Sequence, residues 1–143
     1  MTPFWRTWLD LWCGAVMVFG LVLVGAAFEP TRAPLLMLLG PMNPAVPVFD
    51  DHLRFAYALM GAVTLAWGLT FLAALRAAAQ LSDRALWRGL TVAVLAWYVI
   101  DGALSAATGF ALNIVPNTAL LAGYLIPVLA TGVLSGGALQ PAE

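Results

Sequence analysis

The chain has 143 residues, 63% of them hydrophobic and 9% charged, with a mean hydropathy of +0.95 and a formal net charge of −1. A water-soluble domain carries roughly 25% charged residues, so this composition argues against a surface turned to water, and lipid is the expected surroundings. The near-zero charge argues against nucleic acid as a partner, and the length leaves room for one domain.

All six basic residues are arginine. With so much alanine, that is the compositional habit of a high-GC bacterial genome, and it points to a bacterial inner membrane. The single Cys13 cannot close an internal disulfide.

Four uncharged or nearly uncharged stretches follow in order: Leu11 to Phe28, Phe55 to Leu75, Leu90 to Leu112 (interrupted by Asp101) and Thr118 to Leu139. Each is long enough to cross about 30 Å of hydrocarbon at 1.5 Å per residue. The expected fold is all-α, a single four-transmembrane-helix bundle over residues 1–143. Its helices fall at about 8–28, 54–75, 87–112 and 118–137. The first stretch reads as a retained helix rather than a signal peptide, since its basic flank holds only Arg6 and is followed by Asp10.

The connections differ. A Pro-rich external loop, residues 29–53, joins the first two helices. It carries Pro30, Pro34, Pro41, Pro44 and Pro47 around Leu35-Leu36-Met37-Leu38-Leu39, a patch too short to span and expected to be interfacial or re-entrant. At its end, the cluster Asp50-Asp51-His52-Arg54 lacks the further His or Cys that a metal site needs, so helix capping by Asp50 or Asp51 is the expected role. The lone His52 argues against bis-histidine haem. The second connection carries Arg76, Arg84 and Arg88, with Ser82 or Asp83 available as a cap. The third is tight, with Pro116 expected to stop the preceding helix. Arginine on one side (Arg6, Arg76, Arg84, Arg88) against Arg32 and Arg54 on the other predicts cytoplasmic N and C termini. Trp5, Trp8 and Trp87 then fall at the cytoplasmic interface, where tryptophan anchors, and Trp12 shares the face of the first two.

Asp101 is the most informative residue. A carboxylate deep in a span costs about 2.5–3.5 kcal/mol, so it must face the bundle interior. There it serves either as a hydrogen-bond lock between helices or in handling a proton or ligand. It belongs to the row Trp97, Asp101, Ser105, Gly109, Asn113, Asn117, each four residues from the next. Such a row is a slanting ridge that reads as a helix-packing seam or, more sharply, as the wall of a polar pocket closed by Trp97 and Tyr98. Equal depth adds Thr64, Trp67 and Tyr124. The candidate ligand-binding residues are thus Asp101, Tyr98, Trp97, Ser105, Thr64, Trp67 and Tyr124. Pro127 frees the carbonyl of Gly123, which Asp101 or Tyr98 is expected to satisfy. Gly132 and Gly136 form a GxxxG pair that permits close helix approach.

The stretch from Trp97 through Asp101, Ser105, Gly109 and Asn113 to Asn117, together with FAYALMGAVTLAWG before it, resembles small four-helix bacterial inner-membrane proteins of the BphX-like or DoxX-like kind. The resemblance covers the last three helices. It implies a four-helix membrane protein and carries no chemistry with it.

No nucleophile–base pair, metal set or cofactor motif stands out. The expected function is therefore a non-catalytic accessory or assembly subunit, with membrane lipid around it and a membrane-protein partner or further copies beside it. The alternative is an apolar small-molecule site for a quinone, lipid or pigment around Asp101, and a proton-coupled transporter ranks last.

Overall fold

The structure, a computed structural model, describes residues 1–42 and 49–135, and every regular element among them is helical. These are α1 (Pro3–Gly25), α2 (Ala33–Met42), α3 (Asp51–Leu81), α4 (Arg84–Ala107) and α5 (Ile114–Ala130), with 3-10 turns at Glu29–Thr31 and Ala111–Asn113. Four helices are long and apolar enough to cross a membrane: α1, α3, α4 and α5 with its leading turn.

Local chemistry sets the ends. Pro3 stands in the first turn of α1, where its missing amide costs nothing. Asp50 caps α3 by accepting from the Leu53 amide at 2.9 Å, while Asp51 pairs with Arg54 at 3.2 Å. Ser82 takes the left-handed conformation (φ +52°) that ends α3. Asp83 then opens α4, its Oδ1 accepting from the amides of Ala85 (2.8 Å) and Leu86 (3.2 Å).

Several ends differ from the sequence expectation: α1 begins at Pro3 rather than near residue 8, α3 runs on to Leu81 rather than 75, and α5 ends at Ala130 rather than near 137. α4 stops at Ala107 rather than near residue 112, because Gly109 adopts φ +83° and reverses the chain. The Phe110 amide bonds the Ser105 carbonyl at 2.8 Å and the Gly109 amide bonds Ala106 at 3.5 Å, the paired closure of a Schellman turn. Pro116 does not stop a helix. It lies in the first turn of α5, where a residue without an amide proton leaves no helical acceptor unserved.

The helices pack as an antiparallel ring in the order α1, α3, α4, α5, with α5 returning to α1. The α1–α3 seam is the closest. A Cβ on Gly61 would stand 2.5 Å from the Val24 amide nitrogen and 2.6 Å from the Gly20 carbonyl oxygen, so only glycine allows this backbone contact. Asp10 and Arg76 tie the same pair of helices at the other end, through bonds of 3.2 and 3.3 Å.

The core is aromatic. Trp12, Phe71, Trp87 and Tyr124 are buried together with Leu9, Val16, Leu75 and Val94. Trp12 and Trp87 are therefore packing residues, against the expectation of membrane anchors, because each indole faces the helix neighbours rather than the perimeter. Between α1 and α3, Leu35 and Leu39 of α2 bury against Leu23 and Ala26, so the apolar patch of the first loop closes one end of the bundle. Pro44 and Pro47 lie outside the described residues. Gly132 (φ +63°) sits in the turn after α5, not on a helix face, and its expected partner Gly136 lies outside the described residues.

Candidate functional site

Asp101 lies six residues before the end of α4, about 9 Å along the axis, so it is nearer the α2 end of the bundle than mid-span. The reversal at Gly109 brings the start of α5 back alongside it. Three donors converge on its Oδ1: Asn117 Nδ2 at 2.6 Å, Asn113 Nδ2 at 2.9 Å and Ser105 Oγ at 3.2 Å. Asn113 Nδ2 also reaches Ser105 Oγ at 3.0 Å. The four-residue row is thus not one continuous ridge. It folds in half at Gly109, and its two halves bond each other across the α4–α5 junction.

The arithmetic favours a latch. Away from mid-span the cost of inserting an acidic side chain falls below the roughly 2.5–3.5 kcal/mol of a helix centre, while each hydrogen bond contributes about 0.5–1.5 kcal/mol net, and here three meet one oxygen. Asp101 acts as acceptor, not as the donor that a helix lock first suggests. No hydrogen bond among the described residues reaches its Oδ2.

The remaining candidates divide. The Tyr98 hydroxyl bonds Thr118 Oγ1 at 2.9 Å, a second α4–α5 tie, and does not touch Asp101. Trp97 and Trp67 lie against each other with ring centroids 6.2 Å apart. Trp67 continues to Phe71 (5.2 Å) and Trp12 (6.2 Å), and Trp12 to Tyr124 (5.7 Å). Aromatic pairs at such spacing contribute about 0.5–1.5 kcal/mol each beyond area burial. The Tyr124 hydroxyl shares a bond of 3.1 Å with Thr91, whose own hydroxyl also donates to the Trp87 carbonyl. Thr64 bonds back to the Met60 carbonyl of its own helix. The seven candidates therefore fall into a polar latch, an aromatic stack, the separate Tyr98–Thr118 tie and Thr64, rather than one lined pocket.

The freed Gly123 carbonyl has a different partner from the one expected. Trp8 Nε1 donates to it at 2.8 Å, and Trp12 Nε1 donates to the Leu120 carbonyl at 2.8 Å. Asp101 is out of range because it stands beside Asn117, six residues and about 9 Å further along α5. Trp8 and Trp12 of α1 thus bond α5 backbone.

Sequence reasoning passed over Asn113 and Asn117 as partners of Asp101, and over Thr91 as the partner of Tyr124. The signal was present in the matched spacings Asp101/Ser105 and Asn113/Asn117 on either side of Gly109. No family model, curated protein or solved structure matches this chain.

Proposed function

We propose that the chain is a non-catalytic integral membrane protein of the bacterial inner membrane, an accessory or assembly subunit that packs against larger membrane partners. Its N and C termini lie on the cytoplasmic side, the side that collects Arg6, Arg76, Arg84 and Arg88. The likeness to BphX-like or DoxX-like proteins belongs to the same proposal.

The observation that carries it is how the polar groups within the spans are used. Asp101, Ser105, Asn113 and Asn117 bond one another, Tyr98 bonds Thr118, and Thr91 bonds Tyr124. Meanwhile Leu11, Val18, Val63, Val92, Val99 and Leu129 point outward from every span. Polar side chains bonded to one another between helices, with an apolar perimeter, suit a protein that works through its surface. Extraction of a tagged chain in mild detergent tests this. The particle should far exceed one 15.1 kDa chain and contain a membrane partner identifiable by mass spectrometry. A monodisperse monomer overturns it.

One observation favours the alternative of an apolar small-molecule site. Asp101 is only half-buried and its Oδ2 carries no hydrogen bond among the described residues. A quinone, lipid or pigment recovered at one per chain, and lost with Asp101→Leu, would move the assignment to ligand binding.

A further inference from the structure

A cleft of about 270 Å³ opens at the end of the bundle where α1 begins and α3 ends. Its floor is apolar, formed by Leu9, Leu75 and Trp87, all buried. Its mouth carries Arg6, Arg76, Asp10 and Gln80. Asp10 stands one helical turn from Arg6, yet both of its oxygens are taken by Arg76 across the α1–α3 seam. The Arg6 guanidinium is left without an ion pair among the described residues, and two arginines against one aspartate leave the mouth positive.

We propose that this cleft seats the phosphate of an anionic membrane phospholipid. The Arg6 fork takes two phosphate oxygens, and the Gln80 amide supplies a further donor. The glycerol and the start of an acyl chain lie on Leu9, Leu75 and Trp87. A lipid is favoured over a soluble phosphate because the cleft lies at the end of the long apolar helices, at headgroup level, and pairs a cationic mouth with an apolar floor. This assignment is independent of whether the chain has a protein partner.

The test is native mass spectrometry of the full chain in detergent with phosphatidylglycerol or phosphatidylcholine of identical acyl chains. One phosphatidylglycerol should be retained about fivefold better than phosphatidylcholine, the factor expected for one arginine near a membrane surface. Arg6→Gln should erase that preference, Arg6→Lys should keep part of it, and Arg88→Gln, outside the cleft, should leave it intact. Equal retention of the two lipids by the unaltered protein overturns the proposal, and that comparison stands whether or not a variant folds. A preference that persists in Arg6→Gln overturns it too. Loss of the preference in millimolar inorganic phosphate would assign the cleft to a soluble anion instead.

Discussion

Trp8 donates its indole N–H to the carbonyl of Gly123, the acceptor that Pro127 leaves without its helical donor. One helix thus supplies a donor to a backbone acceptor left open in another.

A double-mutant cycle makes this measurable. Trp8→Phe keeps an aromatic ring, smaller than the indole, and removes the donor, and should destabilise the bundle by about 1–2 kcal/mol. In a Pro127→Ala background the restored amide at 127 can bond Gly123 itself, so the same Trp8→Phe change should cost clearly less. Equal costs in both backgrounds, read by thermal melting in detergent, would mean that the bond contributes nothing beyond packing.

Glycine placement on the α1–α3 seam gives a second prediction. Gly61→Ala puts a methyl group against the Gly20 and Val24 backbone, which cannot rotate away, and should cost about 1–3 kcal/mol. Gly14→Ala meets nothing within 4 Å and should be neutral or slightly stabilising, as expected for alanine in a helix. Melting of the two variants side by side checks the contrast.

The four long apolar helices were legible because length and hydropathy are additive along the chain. Asp101 stood out because a charge among apolar residues needs no neighbour to be noticed. The rest depended on contacts between helices. Gly109 looked like one more small residue in a glycine-containing span, so the turn that halves the polar row passed as helix. Trp12 and Trp87 looked like anchors because spacing places a tryptophan at a depth but not on a face. The partner of Gly123 lies 115 residues away, and no local pattern connects it to Trp8.

The proposed orientation rests on arginine placement. A periplasm-active reporter fused after Met42 should be active, and one fused after Ser82 should be silent. The reverse pattern would put both termini outside.

The account rests most heavily on Asp101 being a latch. Asp101→Asn keeps an oxygen where Asn117, Asn113 and Ser105 donate, whereas Asp101→Leu removes it and strands those donors at a cost of about 1–3 kcal/mol. The decisive measurement is recovery of the detergent-extracted partner complex with Asp101→Asn, with melting as the check on folding. The account predicts recovery and melting close to the unaltered protein for Asn, and a lower melting temperature for Leu. An Asn variant that folds normally but no longer recovers its partner would contradict it, because a latch needs only the acceptor oxygen that the amide keeps.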